Sequence, residues 1–192
     1  MNKMLLEIPM CFETERLILR CYEPGDGAWY YSMSQRNREH LLPFEAQNPA
    51  LSIHSEADAE ILVRELIAEW VARKSFFLGA FEKTTRQFVA QIYVGPVNWE
   101  LPEFEMGFFV DKDWEGQGYI TEAVTSTVNF VFEHLKARRI RMECDDTNER
   151  SIKVAERCGF VREGHIRQNK KNPDGTFTGT LIYGLLRREF EL

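Results

Sequence analysis

The sequence predicts one α+β domain with a mostly antiparallel sheet and more strands than helices. Its 192 residues suit a single domain with a substantial core. No repeat, low-complexity tract or Gly/Ser-rich linker divides residues 1–192. Three strand-like runs follow one another with short polar turns between them, as in an antiparallel meander. Segments with the period of helices precede and follow that meander.

The first 75 residues supply one strand and two helical segments. A strand is predicted over residues 14–20 (TERLILR), where leucines alternate with other side chains. Residues 26–41 fit one or two short helices, and residues 42–51 (LPFEAQNPAL) fit an irregular loop because prolines punctuate them. From Ser55, a predicted N-cap, apolar residues recur at helical spacing as far as residue 74, which predicts an amphipathic helix.

The meander occupies residues 76–82, 87–94 and 104–111, and it ends in a glycine-containing loop. Helical period returns over residues 119–136, where Ala123, Val124, Val128 and Val131 lie on one side. The remaining elements alternate between strand and helix. We predict strands over residues 139–145, 160–168 and 177–188, a short helix over residues 149–157, and a turn at the NPDG sequence before the last strand.

Composition and charge exclude several classes of protein. With 44% hydrophobic and 28% charged residues the chain is a folded protein rather than a disordered one, and its formal net charge of −6 gives no basic surface for nucleic acid or an anionic membrane. No run of apolar residues is long enough for a signal peptide or a membrane span. We therefore expect a cytoplasmic protein. The sequence leaves open whether it is a monomer or a homodimer.

The cysteines show no spacing typical of a metal site or of a disulfide framework. We predict no metal cofactor and reduced thiols. Cys144 falls on the inward side of a predicted strand and Cys158 precedes a Gly-Phe pair, so we interpret both as packing residues rather than nucleophiles.

Residues 106–123 (MGFFVDKDWEGQGYITEA) run from a strand through a glycine loop into a helix. Such a loop presents backbone N–H groups at a helix N-terminus, and Gly116 and Gly118 allow close approach of a phosphate. Neither a Walker loop nor a dinucleotide-binding fingerprint fits these glycines. An ordinary strand-to-helix turn is the alternative interpretation, so neighbouring segments must decide.

WEGQGYITEA together with NERSIKVAERCGF resembles the acetyl-coenzyme A loop and the following motif of the GNAT superfamily of N-acetyltransferases. Within it, the chain is similar to the Rim-type branch, which acetylates the N-termini of ribosomal proteins. Four further segments match that branch in order and spacing, and the resemblance covers nearly the whole chain. They are FETERLILR, NREHLLPF, REGHIR and IYGLLRREF.

The resemblance implies a twisted central sheet that is splayed in the middle, with helices on both faces and acetyl-coenzyme A as the cosubstrate. Main-chain groups of Phe108, Phe109 and Val110 would hold the pantetheine, and Asn148 and Ser151 would flank the thioester. The pyrophosphate would bind the loop and helix residues Glu115, Gly116, Gln117, Gly118, Tyr119, Ile120 and Thr121. Two positions depart from the family pattern: Asp113 stands where Arg or Gln is common, and Gly179 stands where the branch often has an acidic residue.

Acetyl transfer needs a proton acceptor for the amine and a proton donor for the leaving thiolate. Glu105 resembles the acidic residue that accepts the proton in many relatives, with Glu103 as a weaker substitute, although a solvent-facing strand glutamate is the alternative. Ser151 is the candidate donor, and Asn148 is a candidate ligand of the pantetheine; either residue could simply cap a helix.

The acceptor predicted from this resemblance is a protein N-terminal α-amine of the ribosomal-protein type. An α-amine titrates near pH 8 and a lysine near 10.4, so deprotonating lysine at neutral pH costs roughly 3 to 4 kcal/mol more. Two alternatives stay open at this point: acetylation of a small amine or an antibiotic, and a non-catalytic module that binds or senses acyl-coenzyme A.

Overall fold

Eight strands form one continuous sheet in the computed structural model, which describes residues 2–45, 48–172 and 174–190. The order across the sheet is β1-β2-β3-β4-β5-β6-β8-β7, and every neighbouring pair is antiparallel except β5 and β6. The strands are β1 (Cys11–Glu13), β2 (Leu17–Arg20), β3 (Phe76–Glu82), β4 (Phe88–Asn98), β5 (Glu103–Val110), β6 (Arg139–Asp145), β7 (Val161–Lys171) and β8 (Phe177–Leu186). The predicted α+β class and the mostly antiparallel sheet are confirmed.

Helices pack on both faces of this sheet. They are α1 (Gly27–Leu41), α2 (Glu56–Val71), α3 (Tyr119–His134), α4 (Glu149–Arg157) and a final turn, α5 (Arg187–Phe190). Buried residues of α1 and α2 form one apolar cluster with Phe81, Phe88 and Phe109, whereas those of α3 form a second cluster with inward residues such as Leu78 and Ile92. The two clusters divide the core because successive strand residues point to opposite faces.

Helix α2 follows from its sequence as predicted. The Ser55 side chain accepts a hydrogen bond from the Asp58 amide at 3.1 Å, so it caps the N-terminus. Ala59, Leu66 and Trp70 are buried on one side of the helix, at the spacing that the sequence shows. The helix ends at Val71, three residues before the predicted end.

Other boundaries differ from the predictions for physical reasons. Strand β1 was not predicted because three residues are too few to show alternation. Strand β7 continues to Lys171, three residues beyond the prediction; it lies at the sheet edge, mostly exposed, and so carries no burial pattern. Residues 46 and 47 of the predicted loop, and Pro173 of the NPDG turn, lie outside the described residues.

The feature that shapes the molecule is a fork between β5 and β6. The two strands run parallel and pair at only three positions, from Glu103 opposite Arg139 to Glu105 opposite Arg141. Strand β5 then continues to Val110 and β6 to Asp145 without pairing to each other. The splayed sheet that the family resemblance implied is therefore present.

A buried carboxylate anchors the far end of β5 to α1. Asp111, which is 0% exposed, accepts hydrogen bonds from the guanidinium of Arg36 and from the Asn37 amide at 2.9 Å. The Asn37 oxygen in turn accepts from the Lys112 backbone N–H at 3.0 Å. Burial alone would raise the pKa of Asp111, but the hydrogen bonds from Arg36 and Asn37 outweigh it and lower that pKa. The ionised carboxylate thus ties β5 to α1.

We expect Asp111→Ala to lower the free energy of unfolding by about 2–3 kcal/mol at pH 7, because it leaves buried donors without their acceptor. Asp113→Ala is the matched control: its side chain is 64% exposed and lies 3.7 Å from Arg36, so its loss should stay below about 0.5 kcal/mol. Urea unfolding monitored by circular dichroism measures both. A carboxyl whose folded pKa is lowered stabilises above its unfolded pKa, so the difference between wild type and Asp111→Ala should shrink as the pH falls below about 4. Equal losses for the two variants would contradict this role.

Candidate active site

A cleft of about 880 Å³ opens where β5 and β6 have parted. Its walls are the end of β5, the glycine loop with the start of α3, the start of α4, and the end of α1 with the residues that follow it. The predicted site residues that line it are Phe108, Phe109, Val110, Glu115, Gly116, Gly118, Ile120, Thr121, Asn148 and Ser151. The fork thus brings together segments that are far apart in the sequence.

The glycine loop has the backbone shape that the sequence predicts. Gly116 and Gly118 have φ angles of 73° and 80°, in the left-handed region that favours glycine. A Cβ at Gly116 would meet no atom within 4 Å, so that side of the loop is open. Gly118 is the N-cap of α3 and offers no capping side chain. The first N–H groups of α3 are therefore available to an anion in the cleft.

Arg16 links this loop to the first turn of α3. Its Nε donates to the Glu122 carboxylate at 2.6 Å, and its Nη1 donates to the Gln117 carbonyl oxygen at 3.1 Å. The guanidinium also lies over the Tyr119 ring, 4.2 Å from the centroid. Gln117 and Tyr119, both predicted site residues, therefore do not line the cleft, and their side chains support the loop instead.

Helix α4 adds positive charge to the same cleft. Arg150, Lys153 and Arg157 line it close to the glycine loop. Arg150 forms an ion pair with Glu115, and Lys153 lies 3.3 Å from Glu149 within its own helix. Guanidinium and ammonium groups beside a helix N-terminus are well suited to phosphate oxygens. This end of the cleft could hold a polyphosphate.

The start of α4 carries the two residues predicted to flank the thioester. Asn148 is the N-cap, and its side-chain oxygen accepts from the Ser151 backbone N–H at 3.2 Å, so the capping interpretation of Asn148 is confirmed. The Ser151 hydroxyl makes no hydrogen bond within residues 2–45, 48–172 and 174–190, and Ser151 lines the cleft. This hydroxyl is positioned to donate to a group bound there.

Glu105, the predicted proton acceptor, is engaged elsewhere. Arg141 donates two hydrogen bonds to its carboxylate, at 3.1 and 2.5 Å. The two residues are the last pair before the strands part, and Glu105 does not line the cleft. The ion pair therefore holds β5 and β6 together at the base of the fork.

The sequence analysis missed one wall of the site. His40 and Glu45, at and after the end of α1, line the cleft. The only signal was the segment NREHLLPF, which matched the family without suggesting a function for these side chains. The irregular backbone after α1 gave no periodic pattern from which an inward residue could be identified.

The buried thiols agree with the packing interpretation. Cys144 is 6% exposed, and burial raises its pKa to about 11, so it stays protonated near neutral pH. Cys158 is partly buried, and burial raises its pKa as well. Neither thiol has the lowered pKa that an attacking nucleophile needs.

Comparison with known proteins decides the family. The family model described as "Acetyltransferase (GNAT) domain" matches residues 16–161, which is well over half of the chain. The chain belongs to the GNAT acetyltransferase family. It is accordingly an N-acetyltransferase, and the enzymes of this family use acetyl-coenzyme A.

Relatives connect this GNAT enzyme with the Rim-type branch. YdaF of Bacillus subtilis (strain 168), named as a candidate ribosomal N-acetyltransferase, is 26% identical over 188 residues, covering 94% of this chain and 97% of YdaF. The [ribosomal protein uS5]-alanine N-acetyltransferase of Escherichia coli (strain K12) is 24% identical, covering 80% of this chain and 79% of that protein. The fold is shared with the solved structure of RimL, the ribosomal L7/L12 α-N-protein acetyltransferase, in complex with coenzyme A. The TM-score is 0.80 at 17% sequence identity, and the match covers 93% of this chain and 97% of RimL.

Two further observations concern metal ligands and membrane-spanning helices. In the part of the chain that the structure describes, no three His, Cys, Asp or Glu side chains are grouped so that they could hold a metal ion. None of the helices described there has the length and apolar character needed to cross a membrane.

We expect Gly118→Ala to weaken coenzyme A binding about tenfold. A Cβ strains the left-handed backbone by about 1–2 kcal/mol and would stand 3.6 Å from Arg16, so the loop would lose its anion-binding shape. Gly175→Ala is the control: it has a similar φ of 88° and open space around it, but it lies in the turn before β8. Calorimetric titration with coenzyme A should show an unchanged Kd for this control. Equal weakening in both variants would mean that general destabilisation, not the loop, sets the affinity.

Proposed function

We propose that this GNAT enzyme transfers the acetyl group of acetyl-coenzyme A directly to the N-terminal α-amine of a protein, of the ribosomal-protein type. The observation that carries the proposal is the cleft at the fork, which runs from the open glycine loop to the hydroxyl of Ser151. The glycine loop with Arg150 and Lys153 suits a polyphosphate, and the Ser151 hydroxyl suits a thioester.

The residues present fit coenzyme A at each part of the cleft. The N–H groups around Gly116 and Gly118 suit the pyrophosphate, with Arg150 and Lys153 nearby to balance its charge. Unpaired main-chain groups of Phe108 and neighbouring β5 residues suit the amide groups of pantetheine, which can add to a strand as another strand would. Acetyl-coenzyme A, when bound, supplies the activated acetyl group as a thioester.

Ser151 is the proposed donor to the leaving thiolate. It lines the cleft at the third residue of α4, and its hydroxyl is unengaged within the described residues. Asn148 fixes this position because its oxygen binds the Ser151 backbone N–H. A hydroxyl held in this way can deliver a proton as the carbon–sulfur bond breaks.

Direct transfer is supported by the state of the thiols. A covalent acetyl-enzyme would need an activated nucleophile beside a base. Cys144 is buried with a raised pKa, which keeps it in its unreactive form. No cysteine of the described residues lines the cleft, which supports attack on the thioester by the amine itself.

The choice of an α-amine rests on proton energetics and on the relatives. An α-amine titrates near pH 8, so roughly a tenth of it is neutral at pH 7. Deprotonating a lysine at that pH costs roughly 3 to 4 kcal/mol more. A single carboxylate base can supply the smaller cost. Relatives named for ribosomal-protein N-termini fit this acceptor class.

The acceptor is tested by following thiol release with three substrates: a peptide with a free N-terminal alanine and no lysine, the N-acetylated peptide with one lysine, and spermidine. At pH 7 we expect kcat/KM for the α-amine peptide to exceed that for the lysine peptide by at least tenfold, because less free energy is needed to deprotonate it. A preference for spermidine or for lysine would contradict the proposed acceptor while leaving the acetyltransferase activity intact.

A further inference from the structure

Glu45 is a carboxylate in the cleft that the family motifs do not assign. It belongs to the turn that follows α1, and its backbone N–H donates to the Leu41 carbonyl oxygen at 2.7 Å. The side chain is partly buried and lines the cleft together with Phe108, Phe109 and Thr147. A fixed backbone thus presents this carboxylate to the opening of the fork.

The surroundings of Glu45 keep its carboxylate available. The positive charge of Lys170 and the side chain of Asn48 act on it electrostatically. Burial raises the pKa of Glu45, and the Asn48 hydrogen bond and the Lys170 charge reduce this rise without cancelling it. Within the described residues no cation lies within ion-pair distance of the carboxylate; Lys170 pairs more closely with Asp145, at 3.9 Å.

Other charged groups in the cleft are engaged or less well placed. The His40 ring, on the last turn of α1, lies 3.5 Å from Glu115. Two other carboxylates line the cleft. Glu39 lies on the same turn as His40, more than one helical turn before Glu45, and Glu149 at the start of α4 pairs with Lys153. Glu45 lines the cleft and has no ion pair within the described residues.

The contrast with Glu105 is decisive for the choice of base. Both hydrogen bonds from Arg141 fall on one carboxylate oxygen of Glu105, Oε2, and Glu105 does not line the cleft. A general base must come within hydrogen-bond reach of the amine, so a carboxylate that lines the cleft and carries no ion pair is the better placed of the two.

We propose that Glu45 accepts the proton from the acceptor ammonium before acetyl transfer. Glu45 on the turn after α1 and Ser151 on α4 line the same cleft, so an amine bound there would have a base and a proton donor in one site. This inference rests on the proposed function, because it presumes that an amine is the acceptor.

The protons balance as follows. Glu45 removes one proton from the ammonium and becomes a neutral carboxylic acid. The amine nitrogen then forms a bond to the acetyl carbon while the carbon–sulfur bond breaks and its electron pair leaves with the sulfur. A second nitrogen proton reaches the sulfur through the Ser151 hydroxyl, which gives one proton and regains another. Glu45 finally releases its proton to water.

The test compares Glu45→Gln, Glu45→Asp, Glu105→Gln and Ser151→Ala by pH profiles of kcat/KM, with coenzyme A titration to confirm that each variant binds. Glu65→Gln, an exposed change on α2, is the control for charge. The assay uses whichever amine the wild-type enzyme acetylates, so a different acceptor class, which would overturn the proposed acceptor, still allows Glu45 to be tested.

For Glu45→Gln we expect kcat/KM to fall about 100-fold at pH 7 and then to rise about tenfold per pH unit up to the pKa of the amine, because only neutral amine can react. Wild type and Glu45→Asp should instead show a plateau, and Ser151→Ala should lower kcat without adopting the steep slope. The proposal is overturned if Glu105→Gln alone shows this loss and slope, or if the deficit of Glu45→Gln is the same at every pH, as a purely structural defect would give.

Discussion

Parting of β5 from β6 after three paired residues is the constraint on which the rest of the structure depends. A strand that leaves its neighbour exposes backbone N–H and C=O groups, and these groups need partners from water or from a ligand. Inside a sheet packed with helices, a narrow molecule with amide groups can take the place of the missing strand. The fork therefore creates both the space and the hydrogen-bonding capacity of the cleft.

Polar contacts fix the ends of the two separated strands. Asp111 ties β5 to α1 through Arg36 and Asn37, and the Asn148 N–H donates to the Asp145 carbonyl oxygen where β6 turns into α4. Three segments consequently meet at the cleft. They are the glycine loop after β5, the start of α4 after β6, and the turn after α1 that carries Glu45. Each wall of the cleft is the direct continuation of an anchored element.

Local patterns predicted the elements better than their assembly. Helix α2 could be predicted because a capping serine and a helical stripe are local features, and the glycine loop could be predicted because its sequence is unusual. The fork could not be derived from periodicity, since residues 106–110 and 142–145 have the sequence character of ordinary strands; only the family resemblance suggested it. Glu45 was missed because the cleft that it lines is completed by Phe108, Phe109 and Thr147, which are far from it in the sequence. Glu105 was favoured because a sequence does not show that Arg141 would bind it.

A crystal structure of the protein with coenzyme A tests the use of the fork most directly. The pantetheine should lie between β5 and β6, with its amides bonded to the main chain of Phe108 to Val110, its pyrophosphate at the N–H groups after Gly116, and its sulfur near Ser151. Coenzyme A bound instead in the separate cleft lined by Trp29 and Arg86, with the space between β5 and β6 left to water, would contradict the account.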